Sequence, residues 1–505
     1  MLSRPTSSNP QHPSPSPLTP TYILRAHSAP VSVLRFTRDG RFLLSADTEG
    51  FVAVWDLKTF RPLYFWRAPG AGEGASGVGE GQGVLGVEEL GGEGGVLTQG
   101  RDNFLRLFRL PVSSASVSTT PFPAATSVPS PSAPSHGVEK EWEMDINAMN
   151  FCRVSLLRLD GEVTAGGGKG KGKETGKGGE EALVAVVSLT KDEFVDVFHY
   201  PSKARIHRSI GSGAFDVGEK TGSVMAVHLF QLPSFSSPSP NGASTSTSSS
   251  TSPSPSAPSQ ALHLLIAYES GHLVLFRFTS PSALKFTRSE SGLFDEPVQG
   301  RMVEEGEGWE VVWKEKGHRD AVMSLSVDPS HRFAYTVGAD HFVCKYRIFD
   351  LNEEEAALPR MMVEETTSPG KAAIAVRGDG KLVAAGGWDG ECRLYSARSL
   401  SPLAVLSHHR SSLQAVAFSP ILPSPSSSSS SSPSQPSLPA APPFLPVEED
   451  SDISSEDDDR EGVATSAGAG RNGSSAGRRK GRGKVWLAAA GQEGKISLWE
   501  VYPPS

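Results

Sequence analysis

Cysteine is scarce in this chain of 505 residues, which contains only Cys152, Cys344 and Cys392. Their number is odd, they lie far apart and they form no CxxC pair, so we expect neither a disulfide framework nor a cysteine zinc site. The sequence also lacks a run of about 18 apolar residues, which a membrane-spanning helix would need. The N-terminal segment MLSRPTSSNPQHPSPSPLTP has no apolar core of the kind found in secretory signals. These features predict a protein of a reducing compartment with no membrane span.

A large excess of positive charge is also missing. The chain has 48 Lys and Arg residues against 56 Asp and Glu residues, which gives a formal net charge of −8. Proteins that bind the phosphate backbone of nucleic acids usually carry a strong positive balance. We therefore expect no direct sequence-specific contact with nucleic acid.

Glycine and proline, in contrast, are abundant, with 52 and 39 residues, and much of this content lies in low-complexity segments. Such segments cannot bury enough apolar surface to offset the entropy lost on ordering, so we predict that they are disordered. The remaining chain, residues 21–503, is expected to fold as one domain. The segments predicted to be disordered are an N-terminal tail over residues 1–20 and inserts at about 70–95, 112–137, 160–181, 233–260 and 420–483.

Seven short blocks rich in apolar residues lie between these segments, each with turn residues close by, which is typical of all-β proteins. Each block has an aromatic residue near its end, and six residues earlier an acidic side chain in six of the seven blocks. A hydroxyl-bearing or small residue mostly stands four positions before that. The fourth block departs most from this pattern, and the second has a poorly defined first half. The aromatic residues are Trp55, Phe108, Phe198, Phe276, Tyr346, Tyr395 and Trp499. The residues six positions earlier are Glu49, Asp102, Asp192, Ser270, Asp340, Asp389 and Glu493.

Histidines precede some of these blocks at a fixed distance. His27 lies 22 residues before Glu49, and His318 lies 22 residues before Asp340. An acidic side chain in a tight turn can accept hydrogen bonds from turn amides and pair with such a histidine. A hydroxyl and an aromatic edge can complete the network, and His409 is expected to act as the histidine of the last block. The predicted network residues are His27, Ser45, Glu49, Trp55, Asp102, Asp192, His318, Thr336, Asp340, Tyr346, Asp389, His409, Glu493 and Trp499.

This register resembles the WD40 repeat, whose signature is a Gly-His pair followed by a Trp-Asp pair. Gly317–His318 and Trp55–Asp56 preserve the two pairs literally. Seven units predict an all-β fold, a seven-bladed WD40 β-propeller with long disordered inserts. The last block would lack an outer strand, and an unassigned strand stands at Tyr22–Leu24. We therefore predict that this N-terminal strand pairs with Ile496–Val501 and closes the ring.

Several blocks resemble one family rather than the repeat in general. The blocks DINAMNFC (Asp145–Cys152), AYESGHLVLF (Ala267–Phe276) and the terminal GKISLWEVYPP are similar to ASTRA-associated protein 1 of fungi. Animal relatives of that family are described as G-protein beta-subunit-like propellers. The resemblance extends over all seven blocks but not over the inserts. Asn147–Cys152 and Tyr268–His272 are its most specific parts, because the WD40 repeat does not require them.

The resemblance implies a non-enzymatic scaffold, a subunit of the nuclear ASTRA complex, with the cytoplasm as a second location. That complex is linked to chromatin remodelling and to maturation of phosphatidylinositol-3-kinase-like kinases. Its other protein subunits are the implied partners, and no cofactor is implied. A ubiquitin-ligase substrate receptor and a G-protein-beta-like signalling scaffold are the alternatives. The first would need a docking motif outside the propeller, which is not evident. The second would need an N-terminal coiled coil, which residues 1–20 cannot form.

Residues that suggest enzymatic or metal chemistry are better explained otherwise. The segment Gly167–Glu174 nearly matches a phosphate-binding P-loop, but Glu174 stands where serine or threonine should hold magnesium. His408 and His409 have no cysteine or carboxylate at ligand spacing. Cys152 follows no nucleophile signature and is expected to pack in the core. We therefore predict no catalytic, cofactor-binding or metal site. A propeller enzyme would need ionisable residues clustered in its channel.

The last insert carries an acidic run at Val447–Glu461 and a basic run at Arg478–Lys484. The acidic run offers candidate sites for an acid-directed kinase. The basic run is a candidate nuclear-import signal or weak phosphate-binding tail. A solvated charged spacer explains both runs equally well. The candidate phosphorylation sites are Ser451, Ser454 and Ser455, and the basic residues are Arg478, Arg479, Lys480, Arg482 and Lys484.

Overall fold

Seven four-stranded antiparallel sheets form the computed structural model of this chain. Neighbouring sheets contact each other through their innermost strands, and the sheets form a ring around a central channel. The predicted seven-bladed β-propeller is therefore confirmed. The structure describes residues 18–68, 83–92, 94–111, 137–159, 180–215, 219–233, 260–279, 306–350, 352–368, 370–422 and 484–501.

The first strand of the chain, β1 (Tyr22–Arg25), belongs to the last blade, and the next twelve strands form blades 1 to 3 in order from the channel outwards. Blade 1 contains β2 (Val31–Phe36), β3 (Phe42–Asp47), β4 (Phe51–Asp56) and β5 (Arg61–Arg67). Blade 2 contains β6 (Val84–Glu89), β7 (Gly95–Gly100), β8 (Phe104–Arg109) and β9 (Glu139–Asp145). Blade 3 contains β10 (Ser155–Leu159), β11 (Glu181–Val187), β12 (Val195–Tyr200) and β13 (Arg205–Ile210).

Blades 4 to 7 follow the same order. Blade 4 contains β14 (Val224–Pro233), β15 (Gln260–Tyr268), β16 (His272–Phe278) and β17 (Trp309–Lys316). Blade 5 contains β18 (Val322–Val327), β19 (Phe333–Gly338), β20 (Phe342–Arg347) and β21 (Met361–Glu365). Blade 6 contains β22 (Lys371–Val376), β23 (Leu382–Gly387), β24 (Glu391–Ser396) and β25 (Pro402–Ser407). Blade 7 contains β26 (Leu413–Phe418), β27 (Trp486–Gly491), β28 (Lys495–Glu500) and, as its outer strand, β1. The described helix α1 (Glu353–Ala356) is one turn long, and no helix in the described ranges is long and apolar enough to cross a membrane.

The middle strands of each blade are buried on both faces, because every blade packs between two neighbours. All six residues of β7, β20 and β27 are buried, whereas the outer strands β5 and β25 alternate with solvent. Trp55 illustrates the packing, since it is 1% exposed in a cluster shared by blades 7 and 1. Burial of one such large apolar side chain contributes about 1.5–3 kcal/mol.

The N-terminal strand closes the ring, as the sequence predicts. Tyr22 pairs with Leu498 and Arg25 pairs with Lys495 across antiparallel strands β1 and β28. The amide of Thr21 adds a hydrogen bond of 2.7 Å to the carbonyl of Leu498. Leu24 is 3% exposed and packs in the cluster that joins blade 7 to blade 1. Without β1, strand β28 would be an unpaired sheet edge.

One predicted insert needs correction. The segment expected to be disordered at about 70–95 contains β6, the inner strand of blade 2. Val84, Leu85 and Val87 are buried there, although they stand in a run dominated by glycine and glutamate. A side-chain carbon at Gly83 would lie 2.7 Å from the backbone of Thr48, so glycine is needed for close packing. The other four inserts and the tail fall, apart from one to three residues each, outside the described residues.

The connections between strands lie on two faces of the ring. Because strand direction alternates within a blade, the turns between second and third strands share one face with the blade-to-blade loops, and we call it the top face. One backbone hydrogen bond of 2.9–3.1 Å joins a turn to a loop in six blades. These bonds run from the amides of Thr48, Arg101, Glu269, Ala339, Trp388 and Gln492 to the carbonyls of Pro30, Gly83, Ser223, Ala321, Gly370 and Ser412.

The long stretches outside the described residues are distributed unequally between the two faces. Five of them join first to second strands or third to fourth strands, so their ends lie on the bottom face. They are residues 112–136, 160–179, 234–259, 280–305 and 423–483. Among the blade-to-blade connections of the top face, the stretches outside the described residues are 69–82, 216–218 and residue 369. The top face is thus built mostly from short, described connections.

Ring closure generates the first prediction. Removal of residues 1–25 should lower the free energy of unfolding by more than about 2 kcal/mol, because Leu24 and the β1–β28 pairing are both lost. Truncation of one buried leucine alone usually costs about 2–5 kcal/mol. Removal of residues 1–18 should leave it unchanged. Urea unfolding followed by tryptophan fluorescence measures both variants. Equal stability of the two truncations would contradict closure by β1.

Candidate functional site

The predicted histidine network is present in blade 5. Nδ1 of His318 donates to Asp340 at 2.9 Å, and its Nε2 lies 2.7 Å from the hydroxyl of Thr336. Asp340 also accepts the backbone amides of Arg319 at 2.8 Å and Phe342 at 3.1 Å. Burial alone would raise the pKa of Asp340, but these hydrogen bonds outweigh it and hold the pKa below its usual value. The network fixes the loop before blade 5 onto its turn.

Blade 1 contains the same network with a different acid. Nδ1 of His27 donates to Asp47 at 2.7 Å, and Nε2 lies 2.7 Å from Ser45. The indole of Trp55 donates to the same serine hydroxyl at 2.8 Å. Asp47 also accepts the amides of Glu49 and Phe51. The expected acid, Glu49, is exposed, whereas Asp47 is buried and makes these contacts, so the sequence assignment is corrected to Asp47.

The residue two positions before the turn acid explains the exchange. In blade 5 this residue is Gly338, and a side-chain carbon there would lie 2.8 Å from Nδ1 of His318. The glycine leaves room for Asp340 to reach back to the histidine. In blade 1 the same position holds Asp47, whose own carboxylate fills the space. The sequence contains the signal for this exchange. Other turn acids stand two positions after a glycine, whereas Glu49 stands two positions after Asp47.

Blades 2 and 6 replace the histidine by an arginine, which the sequence analysis missed. Asp102 forms an ion pair with Arg106 at 2.5 Å, and Asp389 forms one with Arg393 at 2.7 Å. Arg106 pairs with Thr98 across strands β7 and β8. The equivalent residue in blade 1 is the small Ala53, which pairs with Ser45. Burial would raise the pKa of Asp389, but the Arg393 hydrogen bonds lower it below its usual value. An arginine four residues after the acid is the sequence signal for this variant.

Blade 7 keeps the histidine but moves the hydroxyl. Nε2 of His409 lies 2.7 Å from Ser497 on β28, which faces Ala489 on β27. In blade 1 the hydroxyl stands on the second strand and the alanine on the third. Glu493 accepts the amide of Arg410 at 2.5 Å instead of hydrogen-bonding to His409. Burial lowers the pKa of His409 to about 4, so this histidine is neutral at pH 7.

The remaining network predictions have mixed outcomes. Asp192 in blade 3 is exposed and accepts a hydrogen bond from the hydroxyl of Ser223 at 2.6 Å. Tyr346 is fully buried and stacks on Trp313, with ring centroids 6.2 Å apart. Trp499 is 3% exposed and packs between blades 6 and 7. Asp192 and Trp499 support their blades without joining a histidine network, whereas Tyr346 interacts with Thr336 of the blade 5 network.

The loop Asn147–Cys152, which joins blades 2 and 3, is fixed from one side by blade 2. The side-chain amide of Gln99 donates to the carbonyl of Cys152 at 2.9 Å and accepts the amide of Val154 at 3.0 Å. The side chain of Asn103 accepts the amide of Ala148 at 2.9 Å. Asn103 adopts a left-handed conformation with φ of 67°, which asparagine tolerates better than most residues.

The loop's own asparagines fix it from the other side. Asn147 donates to the carbonyl of Ser188 at 2.8 Å, and Asn150 donates to the carbonyl of Val224 at 2.7 Å. Their side-chain oxygens accept the amides of Met149 and Cys152. The loop is therefore tied to blades 3 and 4 as well as to blade 2. A backbone so constrained loses little conformational entropy when a partner binds.

This fixed loop presents apolar side chains to solvent. Met149 is 82% exposed and Phe151 is 60% exposed. The guanidinium of Arg101 lies over the ring of Phe151, 4.7 Å from its centroid. Two other apolar residues on turns of the top face, Leu189 and Trp388, are also exposed. Exposed apolar groups on rigid backbone mark interaction surfaces in proteins.

The second specific block of the sequence, Tyr268–His272, also lies on the top face but supports structure. Tyr268 is buried, and Phe215 packs edge-on against it at 5.2 Å. The carboxylate of Glu269 accepts the amide of Ser223 at 3.1 Å. His272 is joined to Ser270 by a hydrogen bond of 2.9 Å. This turn fixes the loop that enters blade 4.

A channel of about 1080 Å³ passes through the ring. Phe151, Trp388 and Arg101 border it at the top face, and the inner strands line its length. Arg153 reaches across this end and donates to the carbonyls of Ser32 at 2.7 Å and Gln414 at 3.3 Å. It thereby joins blade 3 to blades 1 and 7. Burial lowers the pKa of Arg153, although Glu88 acts in the opposite direction.

The cysteines and histidines that were considered for metal or nucleophilic chemistry pack against neighbouring residues of the fold. Cys152, Cys344 and Cys392 are unpaired and buried, and burial raises the pKa of each thiol to about 12. His408 packs edge-on against His409, with ring centroids 5.2 Å apart. The described ranges contain no cluster of three or more side chains suited to a metal ion.

The predicted charged runs can be placed only in small part. Lys484 forms an ion pair with Glu500 at 3.0 Å and lies over the ring of Trp486. The other basic residues, Arg478, Arg479, Lys480 and Arg482, and the candidate phosphorylation sites Ser451, Ser454 and Ser455, lie outside the described residues, as does the P-loop-like segment.

Comparison with known protein families identifies WD40 repeats in this chain. The family model for the WD domain, G-beta repeat, matches residues 18–56, 309–347 and 368–396. These ranges cover parts of blades 1, 5 and 6, with the preceding outer strand in the first two. Two of the three contain a complete histidine network. The family model thus matches three of the seven blades of the propeller.

Curated proteins show similarity over nearly the whole chain. ASTRA-associated protein 1 of Penicillium rubens is 29% identical over 96% of this chain and 98% of the relative. The protein of that name from Aspergillus flavus is 27% identical with the same coverage. The Schizosaccharomyces pombe protein of that name is 24% identical over 80% of this chain and 94% of the relative. The resemblance to this family is confirmed.

The corrected acid of blade 1 generates the second prediction. Asp47→Ala should lower the free energy of unfolding by about 1–3 kcal/mol, because the buried histidine and two turn amides lose their acceptor. Glu49→Ala, on the exposed neighbour, should change it by less than about 0.5 kcal/mol. Urea unfolding of both variants provides the comparison. A larger loss for Glu49→Ala than for Asp47→Ala would restore the original assignment.

Proposed function

We propose that this chain is a non-enzymatic scaffold subunit of an ASTRA-type complex and that its top face binds other protein subunits. The relatives named ASTRA-associated protein 1 support this proposal, since those of Penicillium rubens and Aspergillus flavus each match 96% of the chain. The WD40 fold supports it too, because a propeller offers a wide rigid surface assembled from many blades. We further propose a nuclear location and a role in chromatin remodelling and in maturation of phosphatidylinositol-3-kinase-like kinases.

The loop Asn147–Cys152 is the observation that carries the proposal. It is one of the two blocks that resemble the family and that the repeat does not require. It also bears two strongly exposed apolar side chains, Met149 and Phe151, on a backbone held by asparagine and glutamine side chains. Folding alone gives no reason to hold apolar groups rigidly in water. Binding to a protein surface does, because the groups are then buried without a further loss of backbone entropy.

The unequal use of the two faces supports the same surface. Most long stretches outside the described residues begin and end on the bottom face. The top face has short connections, joined to one another by recurring backbone hydrogen bonds. A partner can therefore contact the top face through short connections whose backbone is held by hydrogen bonds.

The third prediction tests this function in cells. The tagged chain, purified from cells of its source organism, should recover other ASTRA subunits together with phosphatidylinositol-3-kinase-like kinases, as identified by mass spectrometry. The double variant Met149→Ser/Phe151→Ser should recover at least tenfold less of these proteins, because the apolar contact is removed. A matched control, Leu403→Ser/Val405→Ser, removes two apolar groups, 49% and 45% exposed, from the outer strand of blade 6 and should retain normal recovery.

Two outcomes would contradict the proposal. Failure of the unaltered chain to recover any remodelling or kinase-maturation protein would overturn the function. Normal recovery by the Met149/Phe151 variant, with loss in the Leu403/Val405 control, would move the binding surface from the top face to the side. Thermal unfolding of all three proteins checks that each variant is folded.

A further inference from the structure

The top end of the central channel combines two features that the fold itself does not need. The first is a pair of exposed aromatic side chains, Phe151 and Trp388, which are 60% and 43% exposed and border the same opening. The ring of Trp388 packs directly on the backbone of Gly370, since a side-chain carbon there would overlap the ring. Rigid aromatic groups are the side chains that most often supply binding energy at protein interfaces.

The second feature is positive charge without a carboxylate partner. Arg101 lies on the ring of Phe151 and forms no ion pair with any carboxylate in the described part of the chain. Arg153 donates to two backbone carbonyls and forms no ion pair in the described ranges, although the Glu88 carboxylate in the same channel acts on it electrostatically. Other channel arginines differ, because Arg35 pairs with Glu88 at 3.0 Å and Arg158 with Glu180 at 2.7 Å.

Size and surrounding charge decide what fits this opening. The channel volume of about 1080 Å³ is enough for one or two side chains of a visiting segment. Glu49 and Glu493 stand on the turns next to Thr48 and Gln492, which border the opening. A nucleic acid would bring its charged backbone past these carboxylates, on a chain of net charge −8. A peptide can place a single carboxylate on an arginine and avoid them.

We infer that the top end of the channel binds an acidic–apolar peptide segment of a partner protein, with an apolar side chain against Phe151 and Trp388 and a neighbouring carboxylate on Arg101. The inference rests on the proposed function and specifies the chemistry of one partner. The site is called the channel mouth and consists of Arg101, Phe151, Arg153 and Trp388. Arg153 supplies additional positive potential from below.

The charge requirement is tested by reversing it in the full-length chain. Arg101→Glu should lower recovery of at least one partner subunit tenfold or more, while Arg101→Lys should retain most of it. The matched control is Arg319→Glu. This arginine also lies on an aromatic ring of the top face, Phe342 at 4.9 Å, but does not border the channel. Normal recovery with Arg101→Glu, or an equal loss with Arg319→Glu, would overturn the charge requirement.

The identity of the occupant is tested by photo-cross-linking. A photoreactive phenylalanine analogue is placed at Phe151 and, in a second protein, at Gln492, and the cross-linked material is sequenced by mass spectrometry. We expect a protein segment with an aspartate or glutamate within three residues of the cross-linked apolar residue. Cross-links to nucleic acid, to segments without a carboxylate, or to nothing at both positions would overturn the inference.

The two proposals fail in different ways. If the unaltered chain recovers the complex but the channel mouth forms no such cross-link, the scaffold function stands and the peptide site is wrong. If the unaltered chain recovers no complex, the proposed function itself fails. The recovery of partners by the unaltered chain therefore separates the two failures.

Discussion

Pairing of the N-terminal strand β1 with β28 is the interaction on which the rest of the structure depends. It joins residues 22–25 to residues 495–498 and completes the last of seven blades. Each blade buries its middle strands against both neighbours, so an open seam would expose the apolar cluster around Leu24, Trp55 and Leu498. The fixed positions of the top-face loops follow from this closure, because each loop is supported by the turns of adjacent blades.

On this ring, several local devices hold the top face. Blades 1 and 5 use a histidine, an acid and a hydroxyl, whereas blades 2 and 6 use an arginine on the turn acid. The loop between blades 2 and 3 is held by side-chain amides of Gln99, Asn103, Asn147 and Asn150. These devices share one result, since a buried polar group that keeps all its partners makes an alternative loop conformation costly. The loop nearest the channel mouth is therefore set before any partner arrives.

The sequence predicts the fold well, because the repeat register combines the spacing of aromatic, acidic and hydroxyl residues, and ring closure follows from one strand too many at the N-terminus. It fails where composition conceals pattern, as in β6, whose apolar residues stand among glycines and glutamates. It also fails where two positions can supply one contact, as with Asp47 and Glu49. The channel mouth was beyond reach, because Arg101, Phe151 and Trp388 come from separate blades and only the ring brings them to one opening.

The central claim is that the closed ring holds the loop Asn147–Cys152 rigid in the free protein, ready for a partner. Hydrogen–deuterium exchange of the full-length chain, alone and in its complex, measures this most directly. The account predicts that the amides of Ala148 and Cys152 exchange at least a hundredfold more slowly than in an unstructured peptide before any partner is added, since both donate to asparagine side chains. Exchange at the unstructured rate in the free chain, with protection only in the complex, would contradict it.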